Sequence, residues 1–140
     1  MSNFRNERFL EATPAAVFAA HSNPARLARW WGPEGFSNTF DVFEFTPGGK
    51  WIFTMHGPDG KDYPNESLFG AIEENARIQI NHVCEPRFVL DIRLHPEGTG
   101  TRVEWLATFE NEAFAKAMES FLMTANEQNL DRLAAEVAAG

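Results

Sequence analysis

Four histidines and a single cysteine are the residues of this chain with the most chemistry in them, and their spacing limits what they can do. His21, His56, His82 and His95 are scattered, with no pair at the i, i+4 spacing by which two imidazoles on a helix share a metal, so no metal site and no cofactor are expected. His82 is the informative one. In the strand read over 77–84, side-chain alternation puts it on the same face as Ile78, Ile80 and Cys84, a polar group among apolar neighbours. An imidazole there titrates near neutrality and works as an acid or base if a carboxylate orients it. Glu66 and Asp62, on the neighbouring strand, are the two candidates. The plainer reading is a buried histidine satisfied by a carbonyl, a hydroxyl or water, which orients a ligand and catalyses nothing. Cys84 reads as inert packing at a strand end, and Ser67 lies in a strand with no nucleophile-elbow motif around it. Pro47-Gly48-Gly49-Lys50 is a hairpin turn without the spacing of a phosphate-binding loop. No defined catalytic constellation emerges.

What the chain has in quantity is aromatic bulk, with 13 phenylalanines, 4 tryptophans and one tyrosine in 140 residues. That exceeds what the core of such a domain needs, and a large apolar space with few polar groups is the usual form of a small-molecule site. Alternation selects its lining. Phe88, Leu90, Ile92 and Leu94 share the inward face of one strand, and Trp51, Phe53 and Met55 that of another. Phe121, on a C-terminal helix, faces them. Trp31 and Phe36 flank the turn Gly32-Pro33 and belong near the entrance, while Trp30 anchors the preceding helix. The expected ligand is an apolar or aromatic small molecule, held by Trp31, Phe36, Trp51, Phe53, Met55, Phe88, Leu90 and Phe121, with His82 supplying orientation.

These residues must be positioned by an α+β arrangement. A strand over 4–11 is followed by Thr13-Pro14 and Asn23-Pro24, each a capping residue with proline at the first helical position, which open two short helices. Gly32-Pro33 ends the second. Strands are then read over 36–46, 51–56, 61–74, 77–84, 87–95 and 101–109, separated by glycine and proline turns at hairpin spacing, so the sheet is antiparallel. From 111 to 138, Phe114, Met118, Phe121, Leu122, Ala125, Leu130, Leu133 and Val137 recur at helical period, with Lys116, Glu119, Glu127, Arg132 and Glu136 opposite. The sheet is the one apolar surface large enough to receive that stripe.

Composition narrows the partners. A formal charge of -8 repels nucleic acid and anionic lipid. No apolar run reaches the roughly 20 residues that span a bilayer, no leader peptide is apparent, and one cysteine forms no internal disulfide. The expectation is one cytoplasmic domain over residues 1–140. Strand edges and Trp30-Trp31 leave room for a homodimer.

Four blocks carry a family resemblance: Trp30-Trp31-Gly32-Pro33, Phe40 to Trp51 with its Thr46-Pro47-Gly48-Gly49 turn, Met55 to Gly60, and Asn126 to Leu133. With the element order β-α-α-β6-α, the chain resembles the helix-grip fold of the START and birch-pollen-allergen superfamily. Within it the chain is similar to bacterial proteins related to the activator of the heat-shock-protein-ninety ATPase. The resemblance implies a curved sheet of about seven strands wrapped around a long C-terminal helix, with an internal cavity that holds an apolar molecule, and a stress-response setting. It offers two alternatives: a cyclase- or dehydratase-like enzyme using His82 with Glu66 or Asp62, and a co-chaperone-like interaction domain. The activators carry an additional domain that this chain lacks, which counts against a chaperone partner.

Overall fold

A computed structural model describes residues 2–140. Strand β1 (Ser2–Leu10) leads into helices α1 (Pro14–Ser22) and α2 (Pro24–Trp30). Strands β2 (Ser37–Phe43), β3 (Lys50–His56), β4 (Asp62–Glu73), β5 (Arg77–His82), β6 (Phe88–Glu97) and β7 (Gly100–Phe109) follow, and helix α3 (Glu112–Ala139) closes the chain. The strands form one antiparallel sheet in the order β1-β7-β6-β5-β4-β3-β2, so each hairpin partner is also a spatial neighbour and β1 joins at the β7 edge. This is the α+β helix-grip architecture that the element order implies.

Local chemistry sets the boundaries. Thr13 accepts from the Ala16 amide, Asn23 from those of Ala25 and Arg26, and Asn111 from that of Phe114, so each helix starts with a side-chain oxygen on an otherwise unpaired N–H. The strand read over 36–46 stops at Phe43, where a turn closed by the Thr46 and Gly49 amides on the Glu44 and Thr46 carbonyls begins, and its register shifts between Phe40 and Val42. That bulge turns both Phe40 and Phe43 toward inward-facing partners, Phe53 and Trp51, at a spacing strict alternation forbids. The strand read over 77–84 stops at His82, so alternation does not extend to Cys84. In β4 the irregularity falls between Phe69 and Ile72 rather than at Pro64, which keeps its register opposite Thr54.

The core sits where the inner sheet face meets α1, α2 and the C-terminal half of α3. Val17, Ala20, Trp51, Ile92, Val103, Leu130 and Leu133 are fully enclosed there. The apolar stripe of α3 divides. Leu130 and Leu133 are sealed, whereas Phe114, Met118 and Leu122 are half-buried and Phe121 is 62 % exposed. The N-terminal half of the helix therefore roofs a space that the core does not fill.

Candidate functional site

That space is a cavity of about 550 Å³ beneath α3, within the range of small-molecule pockets. Its floor is the inner face of β3 to β7, with Phe53, Ile80, Leu90, Trp105 and Ala107 among the lining residues. Phe114, Met118, Phe121 and Leu122 form the roof. Trp31, Gly32, Pro33 and Phe36 border it from the loop after α2, Asp62 to Pro64 from the start of β4, and Glu85 and Pro86 from the connection between β5 and β6. Trp31, Phe36, Phe53, Met55, His82, Phe88, Leu90 and Phe121 of the expected set all line it. Trp51 does not: it is fully buried behind the floor, with its ring stacked on Phe53 at 4.2 Å and parallel to Phe69 at 5.8 Å. Its inward direction is as alternation gives it, but neighbouring rings cover it.

His82 is held on both sides. Its Nδ1 lies 2.7 Å from the Pro86 carbonyl and its Nε2 2.7 Å from Asn65 Oδ1, while the ring stacks on Phe88 at 4.6 Å. The Asn65 amide donates to the Tyr63 carbonyl, which fixes its oxygen toward His82. A neutral imidazole carries one N–H, so His82 donates to one of these acceptors and directs its other nitrogen at the second, and neither nitrogen is turned to a substrate as a free base. Burial holds the His82 pKa below the ordinary histidine value, offset in part by the Pro86 carbonyl.

The carboxylates of the enzymatic alternative are elsewhere. Along β4, Asn65, Ser67 and Phe69 face in, so Glu66 faces out, and its backbone oxygen accepts from the Val83 amide. Asp62, opposite His56 at the cavity rim, pairs with that residue at 2.7 Å, and His56 reaches Thr39 Oγ1 at 2.7 Å. Neither acid pairs with His82, which corrects the pairing expected from neighbouring strands. Cys84 Sγ also lies 3.5 Å from His82 Nε2.

The loop beside the cavity is fastened by three residues of α3. Asn129 accepts from the Gly32 amide and donates to the Trp30 carbonyl, and Gln128 accepts from the Glu34 amide. The Arg132 guanidinium donates to the carbonyls of Arg29, Trp31, Gly32, Pro33 and Phe36 at 2.7 to 3.2 Å. These include the last carbonyls of α2, the negative end of that helix, so a cation is well placed. Gly32 has φ +98°, and a Cβ there would lie 2.7 Å from Met55 Cε, so both the turn and the close approach require glycine.

Comparison with known proteins agrees with this architecture. The family described as Activator of Hsp90 ATPase homolog 1-like protein matches residues 11–138. The chain belongs to that family. A solution structure of an Arthrobacter aurescens protein superimposes with a TM-score of 0.89 at 26% identity, over 99% of this chain and 87% of the other. A crystal structure of a Nitrosomonas europaea protein gives 0.89 at 20% identity, over 98% and 94%. The AHSA1 protein of Silicibacter pomeroyi gives 0.79 at 23% identity, over 99% of both chains. No curated protein matches.

In this AHSA1-like chain the reading from alternation alone missed Tyr63, Asn65 and Ser67 of β4, Trp105, Ala107 and Phe109 of β7, and the roof residues Phe114, Met118 and Leu122. The β7 set was within reach, since Val103, Trp105, Ala107 and Phe109 alternate as plainly as β6. Missing too was Arg132, assigned to the polar face of α3 yet turned onto backbone carbonyls.

Proposed function

We propose that this protein binds a small apolar or aromatic molecule between its curved sheet and C-terminal helix, without chemical turnover, in the cytoplasm. The observation that carries this reading is the division of the α3 stripe. A helix whose C-terminal half is sealed leaves its N-terminal aromatic residues half-buried above a cavity of about 550 Å³. Those residues gain burial only when something occupies the space. His82, with both nitrogens directed at protein oxygens and no carboxylate bonded to it among the described residues, supports binding over catalysis.

The test is a fluorescence titration with the neutral probe N-phenylnaphthylamine. Wild type binds it saturably with a blue-shifted emission. Ala107, small and 4 % exposed on the floor, is replaced by phenylalanine to fill the space. The variant loses at least tenfold in affinity while its circular dichroism is unchanged. Undiminished binding by a folded A107F protein would refute the placement of the ligand.

The family description favours a second reading, stimulation of a chaperone ATPase. Adding the protein to a purified bacterial heat-shock-protein-ninety homologue and measuring ATP hydrolysis decides it: a rise in rate supports this role, and an unchanged rate removes it.

A further inference from the structure

Resting on the binding reading just given, the polar groups of the cavity indicate which class of apolar molecule it takes. Most of them have nothing left to offer. The two nitrogens of His82 face Pro86 and Asn65, and both ends of the Asn65 and Asn129 side chains are engaged. The Tyr63 hydroxyl donates to Asp59. Ser67 differs. It is 2 % exposed, faces inward in the β4 register between Trp51 and His82, lines the cavity, and its hydroxyl makes no hydrogen bond to any described residue. A hydroxyl brings one donor and two acceptor positions, and leaving it unmet in an apolar interior is unfavourable.

Charge sets the other limit. Among the described residues no lysine or arginine lines the cavity, and the two carboxylates at its rim, Asp62 beside His56 and Glu85 beside Arg87, offer no positive charge to a ligand in a chain of net charge -8. An anionic head group would enter without a counter-ion. We infer that the cavity selects a neutral, largely aromatic or aliphatic molecule carrying one hydroxyl or carbonyl oxygen, held at Ser67 Oγ, and that it rejects the corresponding carboxylates.

The experiment compares naphthalene, naphthol and naphthoate as competitors of N-phenylnaphthylamine, in wild type and in Ser67→Ala. The naphthol-to-naphthalene affinity ratio falls about fivefold to tenfold in the variant, the worth of one neutral hydrogen bond. Naphthoate competes more than about 100-fold less well than naphthol, because its charge is unpaired. Without ligand, the variant melts at or above the wild-type temperature, since the hydroxyl it loses has no partner in the protein. An unchanged ratio overturns the inference, as does naphthoate binding on a par with naphthol. A lowered melting temperature does so too, because it would mean that the hydroxyl is already satisfied. These failures leave the binding of the dye itself intact. Failure of the dye and of all three competitors to bind would instead remove the binding reading and this inference with it.

Discussion

His21 is sealed between helices α1 and α2, with Nδ1 2.9 Å from the Val17 carbonyl and the ring edge-on to Trp30 at 4.9 Å. Its Nε2 is buried without a partner, so a second proton there would be a charge with nothing to receive it. Burial accordingly pulls its pKa from 6.5 down to about 4. Above pH 6.5 the residue is neutral whether the chain is folded or not. Between pH 6.5 and about 4 the unfolded chain takes up a proton that the folded one refuses, and stability falls by about 3 kcal/mol across that window. Replacing His21 by phenylalanine, which keeps the ring contact with Trp30, should flatten urea-denaturation stability between those pH values. An unaltered slope would show that other groups carry the acid sensitivity. Glu136 acts in a lower window: hydrogen bonds from Arg29 and Arg26 hold its carboxyl at about 2, so its contribution is lost only as pH falls from 4.5 toward 2. The His21→Phe variant keeps that second limb.

At the scale of elements, the C-terminal half of α3 is a clamp on the loop that follows α2. Arg132 shares the four N–H groups at the ends of its planar fork among five carbonyls, and burial draws its pKa below the usual arginine value without removing the charge. Arg132→Met removes the guanidinium from the Arg29, Gly32 and Phe36 carbonyls, while Trp31 keeps Asn38 and Pro33 keeps the Phe36 amide, and should cost about 2 to 4 kcal/mol. Lysine, a point charge with the wrong geometry, restores only part of it. Hydrogen exchange gives the local signature. The amides of Gly32, Glu34 and Phe36, bonded to Asn129, Gln128 and the Pro33 carbonyl, lose protection in Arg132→Met while sheet amides keep theirs. Uniform loss of protection would mean the clamp stabilises the whole fold and not the loop. Nothing in the sequence showed this clamp, because a charged residue at a polar helical position looks the same whether it meets water or a row of carbonyls. The strands were more legible. Period-two alternation on β5 and β6 needs only the strand span, which turn residues mark, and the structure keeps Ile78, Ile80, Leu90, Ile92 and Leu94 inside. Pairing across strands needs register, which turns and bulges set, and so the positions of Glu66 and Asp62 relative to His82 were not readable.

At the scale of the molecule, the fold leaves an apolar volume unfilled beneath α3, and this sets stability against binding. The α3 stripe was plain in the sequence, yet its division into a sealed half and a roofing half goes with α2 packing on the C-terminal half, where Asn129, Arg132 and Glu136 meet Trp30, Arg29 and Arg26, a long-range fact that periodicity does not carry. Floor and roof face each other across the cavity, forgoing contacts that a packed core would make. Filling that space from within should therefore raise stability as it removes function. Ala107→Phe adds a ring over the floor, where the new atoms meet open volume and need not displace Trp105 or Leu90. Its melting temperature, measured without ligand, is expected to equal or exceed that of wild type. Saturating N-phenylnaphthylamine then separates the two proteins in the opposite sense. At about 100 times its dissociation constant the probe stabilises wild type by about 2.7 kcal/mol, because it binds the folded state alone, and the filled variant gains nothing. A variant that melts lower than wild type and still rises with the probe would place the free volume elsewhere in the molecule.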